Sequence, residues 1–160
     1  MLAQITLAAI LSHGAGSTKV VHPVNVAAIR NTERPAIPFT FVDDGLIVVP
    51  VSLNGHAGYK FLLDTGASHS IVSGETATQL RIPIDSTATL ATMDGKIPIT
   101  VRTLDVFQMG PVRLRRASIA VADWEMLRTL RVDGILGADY LRQFKLSIDY
   151  VHKLITIDPA

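Results

Sequence analysis

Asp64-Thr65-Gly66-Ala67-Ser68 places a carboxylate at the end of a wholly apolar run, Phe61-Leu62-Leu63, with a glycine turn immediately behind it. A carboxylate leaving a core costs free energy unless it is hydrogen-bonded or shares its charge, so its retention there calls for a reason. The chemistry open to such a group is proton transfer. Gly66 lets the backbone come close to the carboxylate with an N–H to donate, and Thr65 brings a hydroxyl able to lock the loop against a neighbouring strand. Taken alone, the tripeptide fits a turn aspartate satisfied by nearby amides equally well.

Other reaction types lack their residues. Gly66-Ala67-Ser68-His69-Ser70 has the look of a nucleophile elbow but misses the second glycine of that sharp turn. Cysteine is absent, which removes thiol nucleophiles, disulfides and cysteine-bound zinc. The histidines, His13, His22, His56, His69 and His152, form no i, i+4 pair, so no metal site is expected. Gly66, Gly74 and Gly95 match neither the dinucleotide nor the Walker spacing, and no cofactor is expected. Met93-Asp94-Gly95 and Val132-Asp133-Gly134 lack a hydroxyl residue between Asp and Gly, so both aspartates read as turn residues.

The elements that must position Asp64 follow from the surrounding composition. The chain has 160 residues, 48% hydrophobic and 18% charged, with 11 Gly and 8 Pro, which suits one compact domain. With 15 basic against 14 acidic side chains the net charge is +1, too small to draw in phosphate backbones, so no nucleic-acid partner is expected. The short basic run Arg113 to Arg116 reads as a solvated strand edge. Residues 1–38 read as an apolar amino-terminal arm or signal segment followed by a proline-interrupted linker, and residues 39–160 as the folded domain. If Met1 to Ser17 acts as a signal, the protein is secreted or periplasmic, and otherwise cytoplasmic; membrane association stays open.

Within the domain, Leu46 to Leu53 and Tyr59 to Leu63 read as strands joined by a loop at Asn54 to Gly58. A short helix over Gly74 to Leu80 follows, capped by Ser73. Thr87 to Met93 and Lys96 to Val106 flank Asp94-Gly95, a strong two-residue hairpin signal. Val112 to Ala122, Lys145 to Tyr150 and Lys153 to Ile157 add strands, with a polar, helix-compatible stretch at Asp123 to Arg131 and a short helix from Ala138 to Phe144. Many short strands with brief helices argue for an all-β domain, closed or sandwich-like. Trp124 reads as a packing residue, and Asp139 as a helix cap or an early-turn charge.

This order resembles the retropepsin-like aspartic proteases, single-lobed relatives of pepsin. The resemblance runs from about Leu46 to Ile157 and rests on Asp64-Thr65-Gly66-Ala67-Ser68 together with Ile135-Leu136-Gly137, whose glycine lies 73 positions after Asp64. It implies a small closed acid-protease-like β-barrel with one or two short helices, a peptide or protein substrate, and catalysis by Asp64 supported by Thr65 and Gly66. It further implies that Met93-Asp94-Gly95-Lys96 forms a flap, with Ala67, Ser68, Met93, Asp94 and Gly95 touching substrate.

Aspartic hydrolysis uses two carboxylates about 3 Å apart that share one proton, because two like charges so close cannot both ionise. Only one Asp-Thr-Gly exists in this chain, so the second carboxylate must come from another copy and activity requires a homodimer. The resemblance makes the strand Lys153 to Ile157 and the amino-terminal arm candidates for the dimer sheet. Ala67, where two-lobed enzymes usually carry Ser or Thr, cannot donate a hydrogen bond to the carboxylate, which favours a weakly acidic to near-neutral optimum. The competing reading is a catalytically silent peptide-binding or dimerisation module.

Overall fold

The computed structural model describes residues 36–43, 45–92 and 95–159. The amino-terminal arm or signal reading, and the flap-tip residues Met93 and Asp94, lie outside them. No helix among the described residues is long and apolar enough to cross a membrane.

Eleven strands and three short helices follow in the order β1 (Ala36–Pro38), β2 (Thr40–Val42), β3 (Leu46–Leu53), β4 (His56–Leu63), β5 (Ile71–Ser73), α1 (Gly74–Gln79), β6 (Ile84–Thr92) and β7 (Gly95–Met109). After these come β8 (Val112–Ala122), α2 (Glu125–Leu130), β9 (Gly134–Leu136), α3 (Ala138–Leu141), β10 (Phe144–Asp149) and β11 (Leu154–Pro159). The mostly β architecture is the expected one. Among the described residues the helices number three rather than one or two, because the polar stretch after β8 turns helical, with Leu127 and Leu130 buried.

The larger sheet runs β2-β3-β4-β9-β5-β8-β7-β6, and β3 also meets β7 through Ser52↔Gln108 and Leu53↔Phe107. The sheet therefore closes on itself through that short pairing, leaving β2 and β6 outside the circuit. Closure places apolar side chains on both faces, which is why β3 is a nearly unbroken apolar run rather than an alternating one. On β4, Phe61 enters one core cluster with Phe107 and Tyr140, while its neighbour Leu62 enters the other with Ala67, Ile71 and Ile135. The rings of Phe61, Phe107 and Tyr140 stand edge to face, with centroids 5.8 and 5.0 Å apart.

The β3–β4 loop is shorter than the sequence suggests. Asn54 and Gly55 alone make the turn, with φ of 50° and 85°. His56 to Gly58 lie inside β4, where a register shift opposite Val51/Ser52 accommodates the extra residue and Gly58 takes a φ of 101°. Ser73 caps α1 as expected, its Oγ accepting the Thr76 N–H at 3.2 Å.

The smaller sheet, β1-β11-β10, corrects one expectation and bears on another. Ala36 to Pro38 lies in the proline-interrupted stretch that reads as linker, yet it pairs with β11 and buries Ile37. The strand Lys153 to Ile157, a candidate for the dimer sheet, becomes β11, which has β1 on one side and β10 on the other. β10 covers one edge along its whole length, and β1 takes Leu154 to Thr156 on the other. The reason is local: the short turn after β10 folds β11 straight back onto it.

β9 is wedged between β4 and β5, with Gly134 at its entry. A Cβ there would lie 2.3 Å from the Ile71 carbonyl oxygen and 2.6 Å from the Phe61 ring. Backbone and a buried ring leave no room to yield, so Gly134→Ala is expected to lower the unfolding free energy by about 1–3 kcal/mol or more. A urea titration checks this; an unmoved midpoint would show that β9 is not held so tightly.

Candidate active site

Asp64 sits where β4 ends, beside the end of β9. The parallel pairing Leu63↔Leu136 carries both strands to the same point, and the Asp64 N–H donates to the Leu136 carbonyl at 3.0 Å. The chain then turns on Gly66, whose N–H donates to Asp64 Oδ1 at 2.8 Å, while the Ala67 N–H reaches the Asp64 carbonyl at 3.3 Å. Ala67 is tied in turn to the start of α3, its carbonyl accepting the Ala138 N–H at 2.7 Å. Two segments far apart in sequence thus form one clasped loop.

The two oxygens of the Asp64 carboxylate differ. Oδ1 is held by Gly66, whereas Oδ2 is buried and accepts no hydrogen bond from any described residue. Loss of hydration raises the Asp64 pKa above its ordinary value, opposed by the amides of Gly66 and Ala67. A half-buried carboxyl with one satisfied oxygen and one bare one holds its proton more readily than a free carboxyl and can share it with another acceptor.

The other expected site residues fall into three situations. Thr65 and Gly66 are exposed, and the Thr65 hydroxyl makes no hydrogen bond within the described residues, so it does not lock the loop inside one chain. Ala67, expected to touch substrate, is fully buried in the second core cluster, because its small apolar side chain joins the core that holds Leu62 and Ile135; Ser68 is half-buried. Gly95 is exposed with a φ of 129°, and the Thr92 hydroxyl donates to its carbonyl at 3.0 Å, closing the β6–β7 hairpin below the tip. That hairpin sends Leu90 and Ile99 into the same apolar cluster as Ala67.

Asp133 is a turn residue, as expected. Its carboxylate accepts the Lys60 N–H at 2.8 Å near the Phe61↔Gly134 pair, by the start of β9, whereas Asp64 lies beside the end of that strand. Trp124 packs, partly buried, against the second cluster. Asp139 does more than cap a helix: besides the Tyr140 N–H at 2.9 Å, it accepts from the backbone and hydroxyl of Ser70. The sequence carries no signal for this pairing, since Ser70 and Asp139 are 69 positions apart and neither belongs to a spaced motif.

Residues 49–140, more than half the chain, match the family model described as aspartyl protease. The fold is similar to that of a retropepsin-like aspartic protease from Rickettsia conorii, with a TM-score of 0.53 and 23% identity over 76% of this chain and 87% of that one. The retroviral protease-like domain of Ddi1 from Leishmania major matches at a TM-score of 0.46 and 21% identity, over 71% of this chain and 88% of that chain. No curated protein matches in sequence.

Proposed function

The chain belongs to the aspartyl protease family and has a retropepsin-like fold, and on that premise we propose that it is an aspartic endopeptidase whose catalytic pair is Asp64 from each of two protomers. The observation that carries this reading is the asymmetry of the carboxylate: Gly66 holds Oδ1 while Oδ2 is buried without a partner. A symmetry-related carboxyl brought to that bare oxygen supplies the shared proton that two adjacent carboxylates need. The ionised member then takes a proton from a water held between them, and the protonated member donates to the scissile carbonyl. Exposure of Thr65 and Gly66 supports the arrangement, because it leaves the tip of the loop available to its mate.

The substrate is an extended peptide running between the Asp64 loop and the β6–β7 hairpin. The apolar cluster shared by Ala67, Ile135, Leu90 and Ile99 favours hydrophobic side chains flanking the cut. These groups are buried against one another in the single chain, so the hairpin lifts to admit the peptide.

A peptide library incubated with the purified protein, with and without a statine-type transition-state mimic, tests the proposal. Cleavage between apolar residues that the mimic blocks is the expected result. Cleavage indifferent to the mimic, or none between about pH 4 and 7 at concentrations where sedimentation shows a dimer, would leave a binding or dimerisation module as the better reading.

A further inference from the structure

One aspartate that the proposed reaction does not consume is bonded directly to the loop that carries Asp64. Both carboxylate oxygens of Asp139 accept the Ser70 N–H at 2.9 Å, and Oδ1 also accepts the Ser70 hydroxyl at 2.7 Å. Ser70 is fully buried, and its Oγ accepts the Gly137 N–H at 2.9 Å. Because the hydroxyl receives that amide on a lone pair, its single proton is committed to Asp139 and its rotor is fixed. Charge-assisted bonds of this kind are roughly twice as strong as neutral ones.

Thr65 and Gly66 are exposed, and Ala67 anchors the turn in the second core cluster. Gly137 presses against the loop so closely that a Cβ there would lie 2.7 Å from the His69 carbonyl and 2.9 Å from that of Ala67. Residues 64–70 are therefore clasped to residues 136–139 at four points: Asp64 on Leu136, Ala67 on Ala138, and Ser70 on both Gly137 and Asp139. The two at Ser70 are the ones that use side chains.

We propose that Ser70 and Asp139 are a positioning pair that sets the conformation of the Asp64 loop for the chemical step, an inference that rests on the aspartic mechanism proposed above. Neither residue touches the reacting atoms. Their effect is transmitted through the backbone, and displacement of a catalytic group by about 1 Å is enough to cost about 10²-fold in rate.

The test compares full-length Ser70→Ala, Asp139→Ala, Asp139→Asn and the Ser70→Ala/Asp139→Ala double variant with wild type. Active sites are counted by titration with a tight statine-type mimic, so that kcat is read per functional site, and hydrogen exchange is followed at the amides of Asp64, Gly137 and Ala138. The expected result is a fall in kcat per site of about tenfold or more with KM nearly unchanged. The double variant is expected to be no worse than the weaker single one, since the two act as a unit. Exchange at those three amides should rise about tenfold while the β7–β8 ladder stays protected.

Unchanged kcat per site alongside fewer titratable sites, or exchange that rises uniformly, would overturn the proposal and leave the pair a purely structural feature. Should wild type cleave no peptide, the protease reading fails separately. The exchange pattern then decides alone: a rise confined to the three amides supports the clasp, and a uniform or absent change overturns it.

Discussion

Asp64→Asn is expected to abolish peptide cleavage, by at least about 10³-fold, because an amide can neither accept the proton of the attacking water nor share one across the pair. The same substitution has a second, independent signature in stability. Burial holds the Asp64 carboxyl above its ordinary value of 3.8, so the folded chain binds that proton more tightly than the unfolded chain does. Between 3.8 and the raised folded value the native state carries more protons, and wild-type stability therefore falls as pH rises through that window. Above it the cost of the buried charge is constant, and below 3.8 it vanishes. Asparagine has no such charge to bury, so the melting temperature of the variant relative to wild type should climb from acid towards neutral pH and then level off. Thermal denaturation of both proteins across that range checks the sign. A difference independent of pH would contradict the desolvation argument, and retained cleavage by the purified variant would end the catalytic one.

Mixing provides the second large effect. If each active site draws one Asp64 from each of two protomers, wild-type chains diluted with an equal amount of Asp64→Asn chains and allowed to exchange should form productive homodimers in only about one quarter of assemblies. Activity per wild-type chain should then fall to about one half, and further with excess variant. Dilution of wild type alone should produce a matching loss, since the folded monomer holds only one carboxylate of the pair. Specific activity that stays flat under both treatments would place the second acid within the same chain. Asp94, outside the described residues, and Asp133 are then the aspartates to test first. The Asp133 carboxylate already accepts the Lys60 N–H, ahead of the end of β9 that lies away from Asp64, which makes it a poor candidate.

Much of the site was readable from local residue order. The apolar run ending in Asp64, the glycine behind it and the Ile135-Leu136-Gly137 element all follow from short-range patterns, and the structure joins them through Leu63↔Leu136. Strand β3 and the cap of α1 were equally legible, because apolar runs and a serine ahead of a polar turn act over a few residues. The β3–β4 loop was misjudged in length, since a bulge depends on the partner strand and not on the loop's own residues.

What the amino-acid order carried by itself was the candidate chemistry, the reason to expect a second copy, and the β fold: one carboxylate motif, no thiol, no metal-ligand spacing, and many short apolar strands. Only the tertiary structure decided which groups hold the motif in shape. Ser70 and Asp139 meet across 69 positions, Ala67 turns inward, and β11 pairs with β10 and β1. Each of these depends on strand pairings between distant segments, whose energies come from surfaces that exist only after the chain has folded.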